Sequence, residues 1–293
     1  MRLDTPAKVN LTLDVLGRRD DGYHELDTVF AAVSLFDQLT FSAGPGPGRI
    51  DLVLDPRSTA PGRELVPTDG GNLVVRAGRQ LAESAGRTLP GVHITLAKMI
   101  PVQGGLGGGS SDAAAALLGL NAYWGLGRSR AELAAIGAEL GSDVPFFVHG
   151  VGWARGRGRG EVIDRLPAGP PLDLVLAKPA SGLSAAEVYR AYRPGRGRPL
   201  SDAMTDAVTS GSSRGVLRST GNDLECPAVS VQNEVGETLR RLRDAGAGPV
   251  RTSGSGTTCF GVVGTRRATL RAVNSCRRGP VVWTKAVRTL ARF

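Results

Sequence analysis

The chain has 293 residues, 41% of them hydrophobic and 22% charged, with a formal net charge of +9. That length suffices for one large domain or two moderate ones with apolar cores, and no uncharged stretch approaches the roughly 18 apolar residues of a membrane span. The 41 glycines are not periodic, which excludes a collagen-like chain, and Cys226, Cys259 and Cys276 suit neither a disulfide framework nor a metal site.

Alternating residues predict a strand over Val9–Leu16, ended by Gly17, and Asp21-Gly22 signals a turn. Strands are expected at Val29–Leu35, Leu39–Phe41 and, after the Gly/Pro stretch Ala43–Gly48, at Ile50–Leu54; residues 55–71 read as a polar loop. Leu73, Val74, Ala77 and Leu81 share one face of a helix over Asn72–Ala85, and a strand follows at Val92–Leu96. Helices are expected at Ser111–Trp124, where Ala113–Ala116 permits close backbone approach, and at Arg130–Leu140, stopping at Gly141.

After Gly150 the pattern restarts with strands at Val162–Leu166 and Leu172–Ala177 and a helix over Ala185–Tyr192. Arg193–Gly221 is rich in Gly, Ser and Arg. A helix at Ala228–Asp244, strands at Val250–Thr252 and Cys259–Val263, a helix at Arg266–Cys276 and a strand at Pro280–Ala286 complete the chain. Strands and helices mix without strict alternation, which predicts an α+β protein of two lobes, 1–155 and 156–293.

Much of the positive charge is loop arginine: Arg155, Arg157 and Arg159, then Arg193, Arg196 and Arg198. Such charge attracts anionic substrates or nucleic acid. With 5% aromatics and no RNP pattern, zinc spacing or basic helix, no nucleic-acid partner is expected. Free thiols and an N-terminus without an apolar signal segment predict a cytoplasmic protein, with no membrane partner.

The strongest local signal follows the strand at Val92–Leu96. Pro101, Val102 and Gln103 lead into Gly104, Gly105, Leu106, Gly107, Gly108 and Gly109, then Ser110, Ser111 and Asp112 open a helix. Five glycines in six positions remove side-chain bulk, so successive N–H groups can turn toward one anion beside the positive end of the helix. A triphosphate fits that many donors, and Ser110 and Ser111 can supply hydroxyls to phosphate or to magnesium, with Ser111 the candidate for the metal. The loop is neither a Walker A sequence nor a dinucleotide fingerprint. A plain turn capped by Ser110 or Asp112 does not need five glycines. From residue type alone, Asp143 before Pro145 is a helix cap or a base, Lys8 a solvated strand lysine or a catalytic cation, and His24 a turn residue or a ligand.

Three segments together resemble the GHMP kinase superfamily: Pro6-Ala-Lys-Val-Asn-Leu, the glycine loop, and Thr252-Ser-Gly-Ser-Gly-Thr257. Gly17-Arg-Arg-Asp-Asp-Gly-Tyr-His24, Gly141-Ser-Asp-Val-Pro-Phe146, Gly158-Arg-Gly-Glu161 and Asn222-Asp-Leu-Glu225 are similar to one branch of it. That branch phosphorylates the tertiary 2-hydroxyl of a cytidine diphosphate-linked methylerythritol, a step toward isoprenoid precursors outside the mevalonate route.

The resemblance implies a fold with an N-terminal lobe like a ribosomal-protein domain and a ferredoxin-like C-terminal lobe, using ATP and Mg2+. It implies Asp143 as base and Lys8 as catalytic lysine. It assigns Pro101–Ser111, with Asn72 and Lys98, to the nucleotide. It assigns Asn10, Tyr23, His24, Ser184 and Tyr189 to the substrate, a small molecule bound by a monomer or homodimer. Glu161 stays a surface carboxylate. The sequence departs from the family pattern at Gln103, where a small residue is usual, and in the basic Arg155-Gly-Arg-Gly-Arg159. The rivals are a homoserine or mevalonate-type kinase, and a basic RNA-binding module.

Overall fold

A computed structural model describes residues 1–195, 199–277 and 280–293; Arg196 and Arg198 of the basic loop lie outside them. Strand β1 (Arg2–Arg18) turns at Gly22, φ 86°, into β2 (His24–Ala43), and the two pair antiparallel over almost their full lengths. The short strands expected at Val29–Leu35 and Leu39–Phe41 are therefore parts of one long strand. Its length lets one edge carry two partners. β4 (Val92–Ala97) pairs with its C-terminal part and β5 (Trp153–Gly158) with its N-terminal part.

β3 (Ile50–Leu54) lies parallel to β4, joined through helix α1 (Leu73–Ser84). Helices α2 (Gly108–Tyr123), α3 (Arg130–Leu140) and α4 (Val144–His149) cover that face. α3 opens with a capping box, in which Ser129 and Glu132 satisfy each other's backbone N–H groups. A Cβ on Gly119 would stand 2.4 Å from the Phe41 ring, so α2 lies directly on β2, as its small residues allow. β6 (Val162–Arg165) pairs with β5. A division at 155/156 would cut this hairpin, and sheet membership favours a boundary in the loop 166–172.

The second half supplies β7 (Asp173–Pro179), α5 (Ala185–Ala191), α6 (Ser201–Thr209), α7 (Ser213–Arg218) and β8 (Gly221–Asn222), which returns to pair parallel with β1. Then come α8 (Glu225–Val231), α9 (Asn233–Asp244), β9 (Val250–Thr252), β10 (Cys259–Val263), α10 (Arg266–Cys276) and β11 (Val281–Arg288). The single helix expected over Ala228–Asp244 is two, because Gln232 takes an extended backbone, φ −140°.

The second sheet has the order β11-β7-β10-β9, all antiparallel, with helices between β7 and β9 and between β10 and β11. That is the ferredoxin-like arrangement. An apolar layer including Val9, Leu11, Val29, Leu174, Leu176 and Phe260 lies between the two sheets. It explains why β1 is buried from Pro6 through Val15 rather than on alternate residues. Among the described residues no helix is long and apolar enough to cross a membrane.

Candidate active site

Helix α2 begins without a capping side chain: its N-cap is Gly107, φ 71°. Ser110 and Asp112 lie inside the helix, so neither is the cap. None of the backbone N–H groups from Gln103 through Ser110 finds a protein acceptor among the described residues. A helix start left bare in this way leaves its N–H groups free for an anion.

The glycines have more than one duty. A Cβ on Gly105 would fall 2.2 Å from the Ser253 carbonyl oxygen, and one on Gly107 would fall 3.0 Å from both Lys8 and Phe147. Ser253 Oγ donates to the Gly105 carbonyl at 2.9 Å and Thr258 N–H to that of Gly104 at 3.1 Å. The late glycine motif is thus the floor of the loop. Gln103 has φ 53°, a conformation that favours glycine, which accounts for the small residue usual there.

Lys8 joins loop and chemistry. Its N–H donates to the Leu106 carbonyl at 2.9 Å, and its buried ammonium lies 3.3 Å from Asp143 Oδ2 and 5.4 Å from the Phe30 ring centroid. Asp143 precedes α4 but makes no capping bond, which leaves its part-exposed carboxylate to Lys8 and the cleft. Asn10 does not line the aromatic cleft described below. It is buried, accepts from Lys8 Nζ at 2.6 Å and donates to Thr28 Oγ1 at 2.8 Å, so it orients Lys8.

Three other expected contacts are spent on structure. Ser111 is fully buried and donates to the Pro6 carbonyl at 2.6 Å, with Thr5 on its other side, so it has no free face for magnesium. Asn72 caps α1 by accepting from Val74 N–H and donates to the Pro67 carbonyl. Lys98 is buried in ion pairs with Asp37 and, at 2.7 Å, with Asp112 beneath the start of α2, so its ammonium is committed to those two carboxylates. Burial raises the Asp112 carboxyl above its ordinary range against the pull of Lys98, and Asp37 raises it further. Burial lowers Lys98, but the two carboxylates outweigh it and keep the ammonium charged.

A cleft of about 830 Å3 opens between the β1–β2 turn and α5, lined in part by Tyr23, His24, Ser142, Arg159, Tyr189 and Tyr192. His24 stacks on Tyr189 and meets Tyr192 edge-on, at 4.9 and 6.2 Å between centroids. Burial, and secondarily Arg18, lowers the pKa of His24. Burial and then nearby Asp143 push the Tyr189 hydroxyl up, so it stays protonated. A smaller cleft of about 500 Å3 joins Gln103 and Gly105 to Ser184, Ser255 and Gly256; Ser184 therefore faces the phosphate loop, apart from the aromatic cluster.

Sequence reasoning missed Asp37, Tyr192 and Ser253. Asp37 acts through partners far along the chain and no local pattern marks it; Ser253 lies inside the late glycine motif, but nothing local shows that its hydroxyl meets the Gly105 carbonyl. Tyr192 sits one helical turn after Val188, at the end of α5, and its aromatic type was the available signal.

Similarity to known proteins is concordant with this geometry. The family described as GHMP kinases N terminal domain matches residues 72–151, and GHMP kinases C terminal matches residues 206–278. Fold and site thus define a GHMP-type kinase. A 4-diphosphocytidyl-2-C-methyl-D-erythritol kinase of Pelotomaculum thermopropionicum is 46% identical over 258 residues, 87% of this chain and 86% of that protein. Its counterpart in Moorella thermoacetica is 44% identical over 89% of this chain and 90% of its own. A solved 4-(cytidine 5'-diphospho)-2C-methyl-D-erythritol kinase superposes with a TM-score of 0.80 at 38% identity, covering 99% of both chains. A homoserine kinase from Cytophaga hutchinsonii, at 17% identity and a TM-score of 0.75, shares the fold alone. The chain belongs to the 4-diphosphocytidyl-2-C-methyl-D-erythritol kinase family.

Proposed function

We propose that the protein transfers the γ-phosphoryl group of ATP to the 2-hydroxyl of 4-diphosphocytidyl-2-C-methyl-D-erythritol, with Asp143 as base. The observation that carries this is the Lys8–Asp143 pair, 3.3 Å apart, beside a helix start with no acceptor for its N–H groups. Phosphoryl transfer asks mainly for positioning and charge stabilisation. The amides from Gln103 to Ser110 hold the phosphates. Lys8, fixed by Asn10 and by the loop carbonyl of Leu106, stabilises charge on the transferring oxygens. Asp143 takes the hydroxyl proton late, as the oxygen–phosphorus bond forms, because a carboxylate of reference pKa about 3.9 is a far weaker base than an alkoxide.

Magnesium, when bound with ATP, neutralises phosphate charge. It keeps several waters and needs only one or two protein oxygens. Ser110 fits that demand in place of Ser111: it is half-buried, and its Oγ would lie 3.7 Å from a Cβ on Gly141, beside the segment that carries Asp143. The three cysteines are free thiols, which suits a reducing compartment, and we assign the reaction to the cytoplasm.

The test is incubation of the purified protein with Mg-ATP and each of three acceptors: the cytidine substrate, homoserine and mevalonate. ADP release and a doubly phosphorylated sugar with the first acceptor alone are expected. Turnover of another acceptor, or salt-sensitive RNA binding without kinase activity, would overturn the proposal.

A further inference from the structure

The run Arg155-Gly-Arg-Gly-Arg159 divides by partner. Arg155 is bound to Asp27 through two bonds and to Asp202 at 2.7 Å, and Arg157 to Asp164 at 2.6 Å across the β5–β6 hairpin. Both are spent on the fold. Arg159 is different: its nearest carboxylate, Glu161, is 3.8 Å from Nε, beyond hydrogen-bond distance. Its guanidinium lies instead over the Tyr23 ring, 5.0 Å from the centroid, inside the larger cleft.

The hairpin tip is built to hold it there. Glu161 accepts from the Arg159 N–H at 2.6 Å, and Gly158 and Gly160 take φ 72° and 109°, which other residues rarely adopt. A Cβ on Gly160 would meet Ser142 Cβ at 3.9 Å, so the tip packs on the segment that carries Asp143. The tip therefore spans from the aromatic cluster to the base.

We propose that Arg159 is a specificity-determining residue that binds the diphosphate of the cytidine substrate. This rests on the reading above and deepens it. In that substrate the diphosphate lies, by covalent order, between the pyrimidine nucleoside and the sugar that bears the reacting hydroxyl. With the pyrimidine at the aromatic cluster and the hydroxyl at Asp143, the diphosphate must cross the ground between them, where Arg159 stands half-buried. Its donors are not consumed by a carboxylate, and a guanidinium pairs bidentately with phosphate oxygens. Arg190 and Arg193, also on this cleft, are more exposed, and Arg193 donates to the carbonyls of Arg190 and Tyr192. The face of Tyr23 holds the guanidinium in the cleft by a cation–π contact.

The experiment is calorimetric titration of CDP and of cytidine, with steady-state kinetics, on the wild type, Arg159→Gln and Arg159→Lys, with Arg157→Gln as control. A charge-assisted contact predicts that Arg159→Gln weakens CDP about tenfold and cytidine less than about twofold. The KM for the cytidine substrate rises with that for CDP, while kcat and the KM for ATP hold. Arg159→Lys recovers part of the loss, and the control Arg157→Gln binds CDP and cytidine as the wild type does. Equal weakening of cytidine and CDP, which would make Arg159 a prop for Tyr23, or no weakening of either, overturns the assignment while wild-type turnover keeps the kinase reading intact. A wild type that neither binds CDP nor phosphorylates the substrate overturns both.

Discussion

His24 lies stacked on Tyr189, with ring centroids 4.9 Å apart and planes 20° from parallel, so β2 and α5 meet through two aromatic faces. A base inserted between two rings needs about 7 Å, twice the carbon contact distance. On the proposed substrate placement, the pyrimidine would therefore stack on an outer face of this pair or displace one ring. Either way, Tyr189→Leu is expected to raise the KM for the cytidine substrate about tenfold, with the KM for ATP unchanged, as base–aromatic stacking energies imply. Steady-state kinetics against each substrate check this.

His24 also sets a pH dependence. Its pKa is lowered below the ordinary 6.5, so the folded protein keeps it neutral where the unfolded chain has begun to bind a proton. The unfolded state thus holds more protons as pH falls past 6.5, and stability declines in that direction. Substrate affinity is expected to stay flat from pH 8 to the ordinary histidine range, about 6.5, and to fall only in more acid solution. An NMR titration of the His24 ring, beside affinity measured over the same range, reads both.

Asp143→Asn keeps size and loses the proton acceptor. It is expected to lower kcat by about 10²–10⁴, the usual worth of a positioned base, with ATP affinity kept. Lys8→Met removes the ammonium that Asp143 and Asn10 face, and is expected to lower kcat at least as far while also weakening ATP. Single-turnover kinetics with a fluorescent nucleotide separate the two effects.

The buried Asp37–Lys98–Asp112 group predicts a large structural effect. Lys98→Met would leave two carboxylates together in the interior, and breaking a buried pair in this way costs about 3–5 kcal/mol. Thermal unfolding should show it. The raised Asp112 carboxyl carries a sign of its own: the folded state keeps a proton that the unfolded chain gives up in the ordinary aspartate range. Stability should therefore decline as pH rises above that range, and Asp112→Asn should flatten the slope.

Gln103→Gly removes the steric cost of a side chain at φ 53°. That cost is about 1–3 kcal/mol, partly offset by about 0.4–1 kcal/mol for glycine's greater freedom in the unfolded chain, so a net gain of up to about 2 kcal/mol is expected. Gln103→Val should lose stability. Denaturant unfolding distinguishes them.

Composition and spacing carried the helix at Arg130–Leu140 and the strands at Val250–Thr252 and Cys259–Val263 to their exact residues, since each is bounded by Gly, Pro, Ser or Thr. β5 was not legible: Arg-Gly alternation carries no apolar signal, and the strand exists because β2 offers it a free edge. Motif position located Lys8 and Asp143 but could not tell which way neighbouring side chains face. Successive helix residues differ by about 100°, which sends Ser111 into the β1 backbone while Ser110 stays near Gly141. The hydrogen bonds of Lys98 and Asn10 were hidden for a related reason. Their partners Asp37 and Thr28 come from another strand, and only the completed sheet brings them together.

The support that Ser253 and Thr258 give to Gly105 and Gly104 has a consequence for synthesis. A ribosome releases the glycine loop some 150 residues before it makes the β9–β10 segment that loop must rest on, as the separation of 148 between Ser253 and Gly105 requires. The growing chain thus carries an unfinished nucleotide cradle for about half of its translation. Nucleotide capture belongs to the completed polypeptide, and a fragment ending near residue 155 should bind ATP poorly even where its own sheet has formed.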